Sequence, residues 1–571
     1  MAIVTTRCRA PDRSLALQPL ALAILTALAP LAALAAPPGT PDSGTILQQL
    51  KPTTPPPPES PATGLSVEGE RAAPPPSSAP FPVKSLNISG NTRFDTATLH
   101  ALVADAEGQT LTLTQLNAVA NRITEFYHTH HYPLARAILP AQSIKDGVVN
   151  IQVLEARYGK VALDNRSRVS DALLAATLAP LQVGAVIDQT EMNHVLLLLS
   201  DVPKIAVNAV IKPGETVGTS DLDVTTLPGP RWSAIASIDN YGNPDTGRTR
   251  GGATVSLIDP FAHVDYLSLG LLSSGEDLNY GRLSYETTLN GLGTRLGGAF
   301  SALHYKLGDG LQDLGGHGTA QVASLWGKQP LLRSENLNLY AQLQYDHLTL
   351  HDDLDASAIK TDRYLNNGTA SLTGDARDGF IAGAVSSGSV SLTYGQVDFD
   401  NAAAATTDSA TARTQGSFSR WNMTLARLQK FSAADGLYLS FAGQWTSDNL
   451  DSSQKMIAGG PYTVRAYDLG AVSGDSGELG TVELQHDLGT AWQGRWQAAA
   501  FVDSEHITIN QTPWTPGPNG ATLSGGGVGL SWAGPQQWTA KTSLAARFGA
   551  VPTLVSDPSS VRLWVELNKA F

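Results

Sequence analysis

Apolar and polar residues alternate with a period of two through the C-terminal part of the chain. In Leu337–Tyr345 one face carries leucines, an alanine and a tyrosine, and the other carries mainly Asn and Gln. The last segment likewise sets Val561, Leu563 and Val565 against polar neighbours. Successive side chains of a strand point to opposite faces, so this pattern predicts strands with one apolar and one polar face. Sixteen such candidate strands lie between Arg231 and Phe571, separated by turns rich in Gly, Asp and Asn.

The region before these strands has a different pattern, which occurs twice. Each copy reads strand, helix, helix, strand, strand, with helices recognised by apolar residues at three- and four-residue spacing. The helices of the first copy are expected over Thr96–Asp105 and from a cap at Thr114, and its last strands over Ala135–Leu139 and Val148–Leu154. The second copy has helices over Ser170–Leu178 and Asp188–Ser200, and strands over Gly159–Leu163, Ile205–Ile211 and Ser220–Thr226. The repeat predicts two small α+β modules in tandem.

The N-terminus indicates export. Arg7, Arg9 and Arg13 precede the apolar run Leu15–Leu34, and a small-x-small cleavage pattern ends at Ala35, as in a secretory signal peptide. The single cysteine, Cys8, lies inside this segment, so the mature chain is expected to lack thiols and disulfides. Residues 36–80 form a Pro-rich linker. A short helix capped by Asp42 or Ser43 and an extended linker throughout are both compatible with residues 42–50.

Composition alone fits a membrane barrel and a large soluble β-protein equally well, and the strand pattern favours the barrel. Only 16% of residues are charged, against about 25% in soluble domains. Alternating strands with a polar second face fit a barrel in lipid, and sixteen strands leave an aqueous lumen. The predicted fold is a 16-stranded antiparallel transmembrane barrel preceded by two periplasmic α+β modules. The predicted divisions are 1–35 signal peptide, 36–80 linker, 81–155 first module, 156–228 second module and 229–571 barrel.

Features that resemble catalytic or binding sites are interpreted as structural. His128, His130 and His131 lie near a helix end without cysteines or paired carboxylates, Asp352–Asp355 is interpreted as a solvated acidic loop, and Ser524–Gly527 as a turn or strand start. With 51 acidic against 38 basic residues and no dense basic tract, no nucleic-acid partner is predicted. The sequence predicts neither an enzyme nor a cofactor or metal site.

The segment from Tyr132 to Gln142 resembles the signature of the first POTRA domain in two-partner-secretion transporters. That family includes the haemolysin activators and the filamentous-haemagglutinin transporter. The family has glycine where this chain has His131. The matching positions are Tyr132, Pro133, Leu139, Pro140 and Gln142.

Two further motifs extend this resemblance into the barrel. The loop sequence Val464, Arg465, Ala466, Tyr467 is similar to the family's Val-Arg-Gly-Tyr motif, with alanine replacing glycine, and Phe501-Val502-Asp503 is similar to its Phe-x-Asp strand motif. Eleven predicted strands precede Val464, which corresponds to the family's sixth extracellular loop.

Alternation places Asp503 on the lumen face, where its carboxylate can anchor Arg465, and Glu483 shares that face as a weaker candidate partner. A bidentate pair there is expected to contribute about 1.5–3 kcal/mol.

The resemblance implies an outer-membrane translocator with its POTRA domains in the periplasm. It would recognise an unfolded exoprotein, of the adhesin or haemolysin type, at POTRA sheet edges and secrete it through the pore. Two alternatives stay open: an assembly factor that inserts other barrel proteins, and a passive porin. In the family an N-terminal helix can occupy the lumen. Here that helix is predicted to span Thr45–Leu50 at most, and the sequence leaves open whether it plugs the lumen.

Overall fold

The computed structural model describes residues 40–50, 65–67, 78–144, 146–203, 205–261, 263–555 and 559–571. The predicted signal peptide lies outside these residues, as does most of the Pro-rich linker. Two pieces of the linker are described, helix α1 (Ser43–Gln49) and strand β1 (Leu65–Val67). Each packs against a different part of the molecule.

The first module is a three-stranded sheet covered by helices. Its elements are β2 (Phe81–Pro82), β3 (Ser85–Ser89), α2 (Thr96–Ala101), β4 (Thr110–Leu111), α3 (Leu113–Thr129), β5 (Arg136–Ile138) and β6 (Val148–Leu154), and the sheet order is β3-β6-β5. The cap of helix α3 is Thr112, two residues before the predicted cap at Thr114, and Thr112 forms a capping box with Gln115. The apolar face of this helix, including Leu116 and Ile123, is fully buried.

The second module has the same order of elements. They are β7 (Arg157–Asn165), α4 (Asp171–Leu178), α5 (Gln189–Ser200), β8 (Ile205–Pro213) and β9 (Thr219–Pro228). Ser170 and Asp188 cap the two helices through hydrogen bonds to backbone N–H groups. The sheet order is β1-β8-β9-β7, so the linker strand β1 forms one edge of this module's sheet.

Sixteen antiparallel strands close into a barrel, which confirms the predicted fold. They are β10 (Trp232–Asp239), β11 (Arg250–Ile258), β12 (Asp265–Ser273), β13 (Leu278–Thr288), β14 (Arg295–Lys306), β15 (Gly316–Arg333), β16 (Leu337–Leu354), β17 (Ile359–Asp378), β18 (Ala384–Phe399), β19 (Gly416–Lys430), β20 (Asp435–Thr446), β23 (Ser476–Ala491), β24 (Gly494–Thr508), β25 (Gly520–Ala533), β26 (Trp538–Arg547) and β27 (Val561–Ala570). The long connection after β20 contains the small hairpin of β21 (Met456–Ala458) and β22 (Val472–Gly474). Helix α6 (Ala402–Ala410) lies in the connection between β18 and β19.

The outer face of the barrel is apolar, as a lipid-facing surface requires. Leu343 is 70% exposed, and Val528 and Leu563 are more than half exposed, although all three are large and hydrophobic. An exposed apolar surface of this extent marks a membrane interface. Among the residues that the structure describes, no helix is both long and apolar enough to cross a membrane.

The second module packs against the end of the barrel that carries the short turns. Val264, in the turn between β11 and β12, belongs to the hydrophobic core of that module. Arg333, at the turn between β15 and β16, donates two hydrogen bonds to the carboxylate of Asp201. This end is therefore the periplasmic end, and the long connections lie at the opposite, extracellular end.

Candidate functional site in the barrel lumen

The connection between β20 and β23, residues 447–475, folds back into the barrel, and we call it the lumen loop. Its predicted motif is enclosed: Val464, Ala466 and Tyr467 are at most 1% exposed. These side chains pack with Phe501, Leu523 and Ala545 from the inner wall. Eleven barrel strands precede this loop and five follow it, as the sequence predicted.

Arg465 lies at the tip of the lumen loop and contacts two carboxylates on the wall. Its Nε and Nη2 atoms each donate to Asp503, at 2.8 Å to Oδ2 and 2.8 Å to Oδ1. Its Nη1 donates to Oε2 of Glu483 at 2.6 Å. The structure thus brings together the three charged residues singled out from the sequence, with a bidentate contact to Asp503 and a single contact to Glu483.

Neighbouring groups complete the environment of this ion pair. The indole N–H of Trp564 donates to the carbonyl oxygen of Arg465 at 2.7 Å, and Thr481 donates to Asp503 at 3.0 Å. The guanidinium carbon lies 3.3 Å from the centroid of the Phe501 ring, a cation–π contact. Arg465 is 8% exposed and Asp503 is fully buried, so water does not replace these contacts.

Ala466 occupies the position where the motif has glycine, and the wall makes room for its methyl group. The Cβ of Ala466 lies over Gly525 of β25, where any added Cβ would collide with it. The glycine run Ser524–Gly527, interpreted above as a turn or strand start, is instead the interior of strand β25. Its glycines allow the lumen loop to approach the wall closely.

We expect Gly525→Val to reduce secretion several-fold without preventing barrel formation. The valine side chain would push Ala466 and Arg465 away from the wall, and overpacking of this kind costs about 1–3 kcal/mol. Gly529→Val is the matched control, because Gly529 follows on the same face of β25 and its nearest neighbour to an added Cβ is a backbone oxygen of Thr542 at 3.4 Å. Both variants would be compared for membrane level and for exoprotein in the culture supernatant. Equal secretion by the two would contradict the close-approach explanation.

A carboxylate of the lumen loop itself forms a second group of ion pairs with the barrel, and sequence reasoning missed it. Asp468 accepts hydrogen bonds from Arg248, at 2.5 and 3.1 Å, and from Arg562 at 2.5 Å. Arg248 lies in the connection after β10 and Arg562 on β27, so the loop is tied to both sides of the barrel closure. In the sequence, Asp468 was indicated only by its position directly after the recognised motif.

Helix α1 lies inside the lumen, which answers the question of a plug that the sequence left open. It spans Ser43–Gln49 rather than Thr45–Leu50, and Asp42 caps it by accepting from the backbone N–H of Thr45 at 2.8 Å. Ile46 and Leu47 are buried in a cluster with inward-facing apolar residues of the wall, including Tyr305 and Leu350. The apolar face and the cap were visible in the sequence, but their partners in the barrel were not.

Arg363 of β17 joins this lumen helix to the wall and to the lumen loop. It donates to Asp451 at 2.6 Å, to Asp352 at 2.7 Å and to Asp42 at 2.8 Å. Asp352 also accepts from the backbone N–H and the hydroxyl of Ser43, at 2.7 and 2.8 Å. One buried guanidinium therefore contacts three carboxylates that belong to three separate parts of the chain.

The acidic segment Asp352–Asp355 is thus not simply a solvated loop. Strand β16 continues to Leu354, beyond the Leu337–Tyr345 stretch recognised by alternation, so Asp352 lies on the wall and not in a turn. Its carboxylate is enclosed by Ser43, Tyr305 and Arg363. The strand is therefore nine residues longer than the stretch that alternation identified.

The signature segment of the first module lies at the junction of the two modules. Leu139 packs against the first hydrophobic core, whereas Leu134 packs against the core of the second. The backbone N–H of Tyr132 donates to Tyr127 at 3.0 Å, and the carbonyl of His131 accepts from Gln189 of the second module at 2.9 Å. His131 has φ +73°, the left-handed region that favours glycine, which explains the glycine of the motif.

The remaining signature residues hold the end of the segment against the sheet. Gln142 pairs with Asn150 of β6 as a strand would, donating to its carbonyl and accepting from its N–H, both at 2.8 Å. Pro133 and Pro140 are half-buried near the two ends of the segment. The signature segment therefore contacts the hydrophobic cores of both modules.

Glu155, directly before the second module, stabilises the same junction. It accepts hydrogen bonds from Thr92 and Arg93 backbone N–H groups, at 2.7 and 2.8 Å, and from the Tyr127 hydroxyl at 2.8 Å. Burial opposes ionisation of Glu155, but the hydrogen bonds from Thr92 and Arg93 outweigh it and hold its pKa below the ordinary value. A lowered pKa means that this contribution to stability is present at neutral pH and is lost as the pH falls through the folded-state pKa.

The chain is similar in sequence and in fold to known proteins. The family model for the haemolysin secretion/activation protein ShlB/FhaC/HecB matches residues 218–532, more than half of the chain. The chain belongs to this family. The model of the POTRA domain, ShlB-type, matches residues 81–156, which contain the first module.

Relatives match over most of their length. The Heme/hemopexin transporter protein HuxB of Haemophilus influenzae (strain 86-028NP) is 27% identical over 498 residues, 86% of this chain and 87% of HuxB. The Outer membrane transporter CdiB of Escherichia coli is 24% identical over 465 residues, 79% of this chain and 76% of CdiB. The solved structure of CdiB from Escherichia coli has a TM-score of 0.69 at 20% identity and covers 88% of this chain and 93% of that one. This structural likeness supports the fold.

As a member of the haemolysin secretion/activation family, the protein is an outer-membrane transporter of the two-partner secretion type. Its POTRA domains lie in the periplasm and recognise an unfolded exoprotein, which is secreted through the barrel pore. The resemblance found in the sequence is confirmed. The insertase and porin alternatives are not favoured.

Proposed function

We propose that the protein exports one large exoprotein of the adhesin or haemolysin type, and that the Arg465 contact holds the lumen loop in the position that transport requires. The observation that carries this proposal is the buried Arg465–Asp503 pair. Burying an unpaired guanidinium costs free energy. A loop with an arginine at its tip is therefore stable inside the barrel only when that arginine has a charged partner there. Val464, Ala466, Tyr467, Phe501 and Glu483 support that pair by enclosing it.

In this proposal the pore is closed at rest. It opens when the segments that occupy the lumen move, and no chemical reaction is needed. Helix α1 and the lumen loop both occupy the lumen and share the contacts around Arg363. Transport is proposed to proceed without any catalytic step, cofactor or nucleic acid, with the surrounding lipid as the other partner. Folding of the exoprotein outside the cell would supply the direction of transport.

The signature residues Tyr132, Pro133, Leu139, Pro140 and Gln142 are proposed to set the angle between the two periplasmic modules. This role is supported by the contacts of the segment to both cores. The division of the chain at residues 35, 80, 155 and 228 remains our prediction. Under it, the described pieces α1 and β1 belong to the linker.

Deletion of the protein tests the proposed cargo. Culture supernatants of the deletion strain should lack one large secreted protein, and complementation should restore it. The control is the outer-membrane proteome, which should keep its other barrel proteins at normal levels. Loss of many barrel proteins would indicate an assembly factor instead, and an unchanged supernatant would contradict the proposal.

A further inference from the structure

The periplasmic turn between β11 and β12 has an aspartate on each side of it. Asp259 follows β11 directly, and Asp265 is the first residue of β12. Asp265 is fully buried, and neither of its carboxylate oxygens accepts a hydrogen bond from any residue that the structure describes. In Asp259, Oδ1 accepts from the backbone N–H of Val264 at 3.0 Å, whereas Oδ2 is buried without a donor. We call these two carboxyl groups the turn pair.

The charges around the turn pair do not balance it. The carboxyl group of Asp265 adjoins that of Asp259 and the phenol of Tyr285 on β13. Arg168, in the connection between β7 and α4 of the second module, contributes a positive charge near Asp259. Burial, together with the neighbouring charge of Asp265, raises the pKa of Asp259 above its ordinary value. Two adjacent carboxylates that are shielded from water therefore need either a bound cation or a shared proton.

The turn that carries the pair is closed and strained. The backbone N–H of Asp259 donates to the carbonyl oxygen of Asp265 at 2.7 Å, and the hydroxyl of Thr287 donates to that of His263 at 2.8 Å. Asp259 and Val264 have φ values of +53° and +58°, which is unusual for a β-branched residue such as valine. Backbone strain of this kind is concentrated at ligand-binding and switch sites. The carboxylate oxygens are thus held in place before any ligand arrives.

The position of the turn gives the pair its structural importance. Val264 belongs to the hydrophobic core of the second module, so the turn joins this module to the barrel. On the other side, the ring of Phe261 lies 6.0 Å from that of Tyr285, measured between centroids. Apolar groups therefore lie near the carboxylates on both sides. A ligand of the turn pair would fix the surface on which the second module packs.

We propose that the turn pair binds a calcium ion, which stabilises this turn in the conformation that contacts the second module. Two carboxylates supply up to four oxygen ligands, the phenol oxygen of Tyr285 is close by, and water can complete the coordination. Calcium prefers oxygen ligands and tolerates an irregular arrangement, whereas magnesium requires a nearly ideal octahedron. With only two acidic ligands, the dissociation constant is expected to be about 0.1–1 mM, as in weak extracellular calcium sites. The site goes beyond the transport function, because its occupation requires no exoprotein.

Hydrogen–deuterium exchange of the full-length protein in detergent tests this proposal locally. The protein is freed of metal with a chelator, and calcium chloride alone is then added at about ten times the expected dissociation constant. Exchange is followed by mass spectrometry in peptides that contain residues 259–265. Asp265→Asn and Asp259→Asn each remove one ligand charge, and the asparagine at 259 can still accept from Val264. Asp313→Asn is the matched control, because Asp313 is exposed in the connection between β14 and β15.

We expect calcium to slow exchange in this turn about tenfold in the wild type and in Asp313→Asn. Binding to the closed turn lowers the open fraction by the factor 1 + [Ca²⁺]/Kd, which is about eleven at that concentration. Both variants of the turn pair should lose this response. In chelator, Asp265→Asn should exchange more slowly than the wild type, because the repulsion between the two carboxylates is removed. Calcium should therefore reverse the order of the two proteins.

Three results would overturn the proposal. Calcium may leave exchange of the turn unchanged in the wild type, which would indicate that the pair shares a proton. Sodium chloride at the same ionic strength may slow exchange as much as calcium does, which would indicate charge screening without a binding site. Asp265→Asn and Asp259→Asn may both respond like the wild type, which would place the calcium elsewhere. The transport function is unaffected by any of these results, since it is measured in culture supernatants.

Discussion

Replacing Arg465 with alanine is expected to abolish secretion while a folded barrel remains in the outer membrane. The change removes three hydrogen bonds from the guanidinium and leaves Asp503 buried without its counter-ion. Breaking one side of a buried ion pair costs about 3–5 kcal/mol. That cost exceeds the 2.7 kcal/mol that corresponds to about a hundredfold shift in an equilibrium. The lumen loop should therefore leave the wall, whereas the strand hydrogen bonds of the barrel are unaffected.

Immunoblots of culture supernatants measure this effect, and heat-modifiability of the membrane protein reports whether the barrel is folded. Asp503→Asn keeps the size of the side chain and should also fail. Glu483→Gln is the matched control, because Glu483 makes a single contact with Arg465 and should cause a smaller loss. Arg465→Lys should behave like the alanine variant, since an ammonium cannot make the bidentate contact. Wild-type secretion by Arg465→Ala would refute the anchoring role.

The second large effect is expected at Arg363, whose replacement by alanine should open the pore to ions. Without the guanidinium, Asp42, Asp352 and Asp451 face one another in a poorly hydrated site and repel. The apolar contacts of Ile46 and Leu47, the hydrogen bonds of Ser43 to Asp352 and that of Ser452 to Asp42 then oppose the departure of helix α1. A loss of about 3–5 kcal/mol would again shift the occupied fraction by two orders of magnitude or more.

Planar-bilayer recordings of the purified protein measure the open fraction, with a deletion of residues 40–50 as the reference without the lumen helix. Asp42→Asn is the graded control. An asparagine can still cap the helix at Thr45, but it loses the charge that pairs with Arg363, so its conductance should lie between those of the wild type and Arg363→Ala. Conductance of Arg363→Ala at the wild-type level would show that the lumen helix is held by other contacts.

Local patterns in the sequence determined a large part of this protein. Period-two alternation is a property of each strand by itself, so sixteen strands could be counted without knowing how they pair. The same alternation assigned Asp503 and Glu483 to the lumen face, and the short motif around Arg465 supplied the partner. The signature from Tyr132 to Gln142 identified the first module, because its turn and packing residues are close together in the chain.

Errors arose where a residue's environment depends on distant parts of the chain. Asp352 was interpreted as solvated because its own neighbours are polar, yet its partners are Ser43 and Arg363. Gly525 was interpreted as part of a turn or a strand start, because a run of glycines is common in turns and nothing nearby in the sequence indicates that Ala466 packs over it. In both cases a deciding contact comes from a segment that is distant in the sequence, since Ser43 is 309 residues from Asp352 and the lumen loop precedes β25 by two complete barrel strands.

The sequence by itself therefore determined the barrel, the two modules, the lumen loop motif and the family. Only the tertiary structure decided that α1 fills the lumen, that β1 completes the second module's sheet, and that Arg363 joins three carboxylates. The physical reason is that alternation and capping are read from neighbouring residues, whereas these contacts depend on barrel closure. Closure of the barrel brings Asp42 and Arg363 together although they are more than three hundred residues apart in the sequence. No local sequence pattern indicates such a contact.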